Sequence, residues 1–538
     1  MLYCLYTFNR LKPSPSYLRT VFAPHTVPIG AAPALSRRLL STPSMDLPTY
    51  VERLRGGGPA KFPADANSLD FARQLDGQDA LRHLRYDFIL PTKTSIKKKA
   101  LDGTLPSTAK TNGATATNGN VPEDKEDSDV GIYFVGNSLG AQPKAIRHYI
   151  DAQLETWASI GVNGHFNTLG NSPLSQWQDM AEDCARQSAA LVGASPAEVV
   201  VMNTLTVNLH MMMASFYKPD PLKRHKIILE WRPFPSDYYA LESQVAWHGL
   251  DPATSMVKIE PDDENCYIST EKILATIDAH ADDTALLLLP GIQYYSGQLL
   301  DMPTITAYAR ARGIVVGWDL AHAAGNVELR LHDWDVDFAC WCTYKYINAG
   351  PGAIAGAFVH ERHGRVEWEA GRDTPTYRPR LTGWYGGDKS VRFNMDNRFV
   401  PTPGAAGYQA SNPSALELAN LAGALSVFDK TSMKALRDKA LVLTAYAEHL
   451  LDGILADGKG DDALFRIITP RDPLQRGTQL SVLLRDGLLD DVAAALELNG
   501  VLCDKRKPGV IRVAPVPLYS RFEDVWRFMQ ILRGALKL

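Results

Sequence analysis

The 538-residue chain has little of several features that would decide its class at once. No stretch approaches the ~18 consecutive apolar residues of a membrane-crossing helix, so no membrane partner is implied. Charge of one sign is also missing. The 56 basic and 60 acidic residues leave a net charge of −4, which gives no broad footprint for nucleic acid. Cysteine is scarce: Cys4, Cys184, Cys266, Cys340, Cys342 and Cys503 are scattered and too few to staple so long a chain, which suits a reducing compartment. Cys340 and Cys342 form a C-x-C pair in an apolar run. No second Cys or His pair completes a tetrahedral zinc set around them, so they read as core thiols and no metal is expected.

What is there is core material. With 45% hydrophobic residues, the chain can bury a large interior, and its length suits two or three folding units of a soluble enzyme. Residues 1–45 carry Arg10, Lys12, Arg19, Arg37 and Arg38 and no acid before Asp46, among many Ser, Thr and Pro. Two readings stand for this segment: a mitochondrial presequence, or an unstructured extension ahead of Met45, with prolines that interrupt any amphipathic helix. The expected location is cytoplasmic under the second reading and mitochondrial under the first.

Residues 46–91 read as an N-terminal helical segment, with Leu69, Ala72, Leu75, Leu81 and Leu84 forming an apolar stripe that Pro91 ends. Residues 92–128 hold Lys97 to Lys99, a Thr/Asn/Gly/Ala tract and an acidic run, with almost nothing to bury, and read as a disordered insert. From 129 to about 400 short apolar runs alternate with helical patterns: strands at Val199–Val201, Ile227–Leu229, Ala285–Leu289, Ile314–Trp318 and Val336–Thr343, and helices over 146–157, 174–191 and 303–312. Repeated strand–helix units predict an α/β fold around a mostly parallel sheet, helices on both faces. Residues 401–538 read as a smaller α/β domain, with one long helix over 413–456, strands near 465–469 and 479–484, a helix over 490–498, the strand of IRVAPVPLY and a final helix.

Chemistry concentrates in GIVVGWDLAHAAGNVELRLHDWDVDFACWCTYKY, residues 313–346, where two apolar strands run into ionisable groups. The first ends in Asp319, with His322 three residues on; the second ends in Tyr344 and Lys345. In a parallel sheet such strand ends share one crevice, where ligands sit. An isolated Asp and Lys would more simply be a turn cap and a solvated loop lysine. As a pair they suit pyridoxal phosphate: the lysine holds the cofactor as a Schiff base and the carboxylate keeps its ring nitrogen protonated. Elsewhere, Thr204 and Thr206 open a helix after Val201, and Ser236 opens another within FPSDYYALESQ. Hydroxyls and free amides at a helix start can seat a phosphate dianion. His322 can position the ring or its hydroxyl.

At these residues the chain resembles the kynureninase family, pyridoxal phosphate enzymes of the aminotransferase-like fold type I. The stretches that carry the resemblance are FVGNSLGAQPK, NTLTVNLH, FPSDYYALESQ, the 313–346 region, LTGWYGG, YQASNP and CDKRKPGVIRVAPVPLY, over about 68–538 apart from the insert. It implies hydrolysis of L-kynurenine or 3-hydroxy-L-kynurenine in tryptophan catabolism and NAD biosynthesis, by a homodimer whose pockets are completed across the interface. It further implies that Lys345 carries the cofactor, that Leu205, Thr206, Phe234, Pro235, Ser236 and Asp237 bind it, and that Asp319, His322 and Tyr344 complete its pocket. Trp384 and Asn412 are implied as cofactor or substrate contacts, His165 as lining the aromatic amine pocket, and Arg512 as binding the substrate α-carboxylate.

Tyr344 suits either a proton relay or a phosphate ligand. His165, Trp384 and Arg512 also suit a loop histidine, a core aromatic and a surface ion-pair partner. In LLLLPGIQYYSG, Pro290 stands where many relatives have a serine, which removes a side-chain hydroxyl from that strand end. Two rivals use the same features: an aminotransferase or cysteine desulfurase, the latter needing a mobile thiol, and a catalytically silent binding protein of this fold.

Overall fold

In a computed structural model of the chain, residues 46–106, 129–261, 264, 266–458 and 463–538 are described. The presequence reading of 1–45 and most of the expected insert, 107–128, lie outside the described residues. Within the rest of the expected insert, Thr92 bridges Val130, and Ser95–Lys97 forms a single 3₁₀ turn.

The apolar runs form a seven-stranded sheet. Its strands are β1 (Val199–Val201), β2 (Lys226–Glu230), β3 (Met256–Ile259), β4 (Thr284–Pro290), β5 (Val315–Asp319), β6 (Phe338–Trp341) and β7 (Gly356–Val359), in the spatial order β1-β7-β6-β5-β4-β2-β3. Strands β3, β2, β4, β5 and β6 run parallel, and β7 lies antiparallel between β6 and β1.

Alternation along each strand explains why the runs are apolar throughout. Ile227, Leu229, Leu286, Leu288, Phe338 and Cys340 enter the core on one face, under helices Leu205–Phe216 and Pro235–Trp247. Ile228, Leu287, Leu289, Val316, Trp318 and Trp341 enter the core on the other, with helices Met180–Val192, Met302–Arg310 and Ala415–Phe428. A strand buried on both faces has no polar side to show. Each of these large side chains contributes about 1.5–3 kcal/mol by leaving water. Gly317 is required by packing, because a Cβ there would meet the Phe338 ring and Leu288.

A second sheet is antiparallel, with β8 (Phe465–Ile467), β9 (Leu480–Leu484), β10 (Asp504–Arg506) and β11 (Val510–Val513) in the order β8-β9-β11-β10. Its core includes the N-terminal helices Leu47–Arg55 and Leu69–Gln78 and the helix Phe522–Ala535. Asp76 accepts from the Phe522 and Glu523 amides and ties the chain's early helix to its last one.

Two helical expectations need correction. The stretch 413–456 is two helices, Ala415–Phe428 and Met433–Asp457, because Ser432 turns to an extended conformation and caps the second by accepting from the Ala435 amide. The helix expected over 174–191 begins only at Met180; Leu174 and Trp177 still reach the core, but from a turn. Cys342 falls just past β6 rather than within it. Among the described residues no helix is long and apolar enough to cross a membrane.

Candidate functional site

The carboxyl ends of the parallel strands open onto one cavity, lined by Leu205, Thr206, Phe234, Ser236, Asp237, Asp319, His322, Tyr344 and Lys345 among others. These residues come from the starts of the helices after β1 and β2, from the end of β5 and from the loops beyond β5 and β6, up to 140 positions apart in the chain yet side by side at one sheet edge. Pro235 is the first residue of its helix, where a missing N–H costs nothing, and it does not line the cavity.

Lys345 is buried, with Nζ 3.0 Å from His322 Nε2. Burial and then the Lys345 charge hold His322 well below the usual imidazole range, so it is neutral and accepts from the ammonium. Its Nδ1 is left without a partner among the described residues. The lysine's backbone is equally fixed. Gly140 donates its amide to the Tyr344 carbonyl at 2.8 Å, and a Cβ on it would strike the Lys345 carbonyl and Asn348, which explains the last glycine of FVGNSLG.

Across the cavity two carboxylates face each other. Asp319 accepts from the Ala321 amide at 2.8 Å. Burial, then the charge of Asp319, pushes Asp237 well above the usual carboxylate range, and its Oδ1 has no partner among the described residues. Two adjacent buried acids with one orphaned oxygen suit a ligand that brings an N–H and positive charge, as a pyridinium does. At the other end Thr206 Oγ1 and Ser236 Oγ meet at 2.7 Å where two helices begin. First-turn amides have no partner within a helix, so both termini and both hydroxyls converge on a seat for an anion. The residues present therefore fit pyridoxal phosphate at both ends.

Tyr344 is a poor base, since burial pushes its phenol up. Arg512 does not itself line the cavity; it is buried on β11, paired with Asp504, its neighbour across the strands, and donates to the carbonyl of the lining residue Tyr294 at 2.9 Å. The loop after β4 is further held by Ser481 Oγ, which donates to the Tyr295 carbonyl at 2.7 Å. His165, Trp384 and Asn412 do not line this cavity. His165 belongs instead to a chain of rings with Phe166, Phe393 and Trp384, the last three about half exposed; Asn412 is exposed.

One acidic lining residue was not anticipated. Glu230, at the end of β2, is buried and pushed up to about 7 by burial, although the Arg232 amide and Gln293 donate to it. Its signal was the same as for Asp319, an acid closing an apolar strand. Pro290 lines the cavity at the end of β4, beside Asp319 in the ladder. Cys340 and Cys342 are buried and their thiols are pushed up by burial, which leaves neither as the mobile thiolate a desulfurase needs.

A family model for the kynureninase C-terminal domain matches residues 436–532. The chain is 68% identical over 494 residues to Kynureninase 1 of Neurospora crassa, covering 91% of this chain and 99% of that one. It is 63% identical over 489 residues to a kynureninase of Pyricularia oryzae, covering 89% and 97%. Among solved structures, a cysteine desulfurase from Thermococcus onnurineus NA1 superposes with a TM-score of 0.58 at 16% identity, over 76% of this chain and 95% of that one. The cystine C-S lyase C-DES superposes with a TM-score of 0.60 at 16% identity, over 75% and 97%. At such identity these two share the fold alone.

Proposed function

Because the chain belongs to the kynureninase family, and its fold is that of pyridoxal phosphate enzymes of fold type I, we propose that it hydrolyses the Cβ–Cγ bond of L-kynurenine or 3-hydroxy-L-kynurenine. The products are L-alanine and anthranilate or its 3-hydroxy derivative, and the reaction belongs to tryptophan catabolism and NAD biosynthesis. The observation that carries the reading is the cavity itself: Lys345 against a neutral His322, with an orphaned acid pair on one side and a paired hydroxyl seat on the other.

Bound pyridoxal phosphate supplies the electron sink that lets the substrate's α-carbon lose its proton and its β–γ bond break. The Lys345 amine holds the cofactor and, when free, takes the α-proton at Nζ. Neutral His322 keeps that amine in place without adding a second positive charge. Asp319 and Asp237 would hold the ring nitrogen and Thr206 and Ser236 the phosphate, with Leu205 and Phe234 lining the same cavity. Arg512, charged and already oriented by Asp504, binds the α-carboxylate through a charge-assisted contact worth about 1.5–3 kcal/mol. Tyr344 serves as a donor in the pocket rather than as a base.

The half-exposed rings of Phe166, Phe393 and Trp384, with exposed Asn412 and the partly buried His165 behind them, are surface in their own chain and supply the aromatic wall of a partner's cavity in a homodimer. Sedimentation as a monomer at assay concentration would sink that part. Residues 129–400 form the cofactor domain, with the Ala415–Phe428 helix packed on its sheet, and the rest of 401–538 forms the smaller one. The enzyme works in the cytoplasm; mitochondrial import of a reporter fused to residues 1–45 would contradict this.

The direct test is Lys345→Ala. It should lose both the visible absorbance of the lysine-bound cofactor and the anthranilate fluorescence made from kynurenine. Retention of either at wild-type level refutes the assignment. Cysteine offered to the wild type should yield no sulfide.

A further inference from the structure

The edge of the large sheet opposite Lys345 gathers side chains that the reaction does not use. Phe358 lies opposite Val199 and Val359 opposite Phe338, so the amino ends of β1 and β6 and the carboxyl end of β7 coincide there. Glu198 immediately precedes β1, His332 lies in the loop from β5 to β6, and His360 follows β7. Glu198 is fully buried. Its Oε1 is 2.9 Å from His332 Nδ1 and 3.7 Å from His360 Nδ1, and one ligand atom from each of the three residues lies within 4.8 Å of the other two. The two imidazoles stack with centroids 5.1 Å apart and planes at 19°.

Protonation at this cluster is set by its neighbours. Asp335 Oδ1 is 3.2 Å from His360 Nε2, so that nitrogen carries the hydrogen and Nδ1 presents its lone pair. The Arg362 amide meets this lone pair only at 3.3 Å. Glu198 Oε1, which also accepts from the Glu361 amide at 2.9 Å, and the His360 lone pair thus face each other, with the His332 Nδ1 hydrogen as the nearest side-chain donor between them. Converging acceptors of this kind are stabilised by a cation. The donor set, two imidazoles and a carboxylate, is one that transition metals take, at about 2.0–2.2 Å from each ligand.

We propose that Glu198, His332 and His360 form a binding site for a divalent transition-metal ion of the zinc type, separate from the cofactor cavity. The ion takes the place of the proton on His332 Nδ1, which leaves to solvent. His332 has a side chain 41% exposed, so the site opens to water on that side, which gives an entry path and a fourth ligand. Asp335 orients His360 as carboxylates orient metal-bound histidines elsewhere. The ion joins three chain segments at the base of the sheet edge. One of these is the loop whose other end carries Asp319 and His322, so its role is to hold that loop, not to react.

The test uses holoenzyme dialysed against a chelator, then titrated with Zn²⁺ by calorimetry and followed by thermal melting. Wild type should take up one zinc per chain and melt at a higher temperature with it. His332→Gln and His360→Asn, the latter keeping an acceptor at the helix start, should each weaken binding more than about tenfold and lose the thermal shift, while kcat/KM for kynurenine stays unchanged. Asp335→Asn should weaken binding by about tenfold, as loss of an orienting carboxylate does. If His360→Asn does not fold, His332→Gln and Asp335→Asn decide alone. Absence of stoichiometric zinc in the wild type overturns the proposal. Equal uptake by wild type and His332→Gln also overturns it, since the ion then sits elsewhere.

Discussion

Two buried aspartates at opposite edges of one sheet show how the molecule divides stability from chemistry. Asp337, beside the start of β6, and Asp237, beyond the end of β2, are 5% and 8% exposed. Burial pushes both carboxyls up. At Asp337 hydrogen bonds from His363, Arg362 and the Val316 amide outweigh that push and hold the acid down to about 2. At Asp237 nothing among the described residues meets Oδ1, the neighbour is another acid, and the carboxyl stays well above its usual range. Asp337 is satisfied by the chain itself; Asp237 is complementary to something the chain must bind. A binding group held in that state costs stability that satisfied groups such as Asp337 offset.

The contrast can be broken by exchanging charge at either edge. Asp319→Asn should leave folding intact and lower kcat by about 10³-fold, near 4 kcal/mol of lost electrostatic stabilisation, as read from steady-state rates and the cofactor's absorbance. Wild-type turnover would remove the acid from the site. Asp337→Asn should do the reverse. It takes the carboxylate from His363 and leaves Arg362 with Asp335 alone, and should cost about 3 kcal/mol in urea unfolding at pH 7, with kcat unchanged. Since the folded pKa is depressed, that contribution is present above about pH 4 and is lost as the pH falls through about 2; variant and wild type should converge there.

Glu230→Gln is the smallest effect and sharpens the comparison. The folded pKa of Glu230 is raised to about 7, so the folded chain keeps a proton that the unfolded chain releases. Stability therefore falls as the pH rises from about 4.5 to 7. The cofactor-free variant should match wild type at pH 5 and exceed it by about 1–2 kcal/mol at pH 8. Equal stability at both pH values would mean that Glu230 is not strained by its burial.

Much of this site is legible in the chain alone because its groups interrupt a strong pattern. Asp319 and Lys345 close apolar strands, and an ionisable group at such an end has few structural reasons to be there. Glu230 closes IILE in the same way and carries the same signal. The Glu198, His332 and His360 cluster had no local signal, since 134 positions separate Glu198 from His332 and only the β1-β7-β6 order brings them together. Helix content was legible, and so was the signal for its interruption: the polar run Asp429, Lys430, Thr431 and Ser432 separates Phe428 from Met433, and Ser432 starts a new cap. His165, Trp384 and Asn412 could be named from resemblance, whereas their absence from the lining of their own chain's cavity follows only from the fold.

The central claim is that Lys345 carries the cofactor. Borohydride reduction of the purified holoenzyme, followed by proteolysis and peptide mass spectrometry, reads this directly. A pyridoxyl group on Lys345, within the peptide that follows Cys342, is the predicted result; the label on any other lysine, or on none, would contradict it.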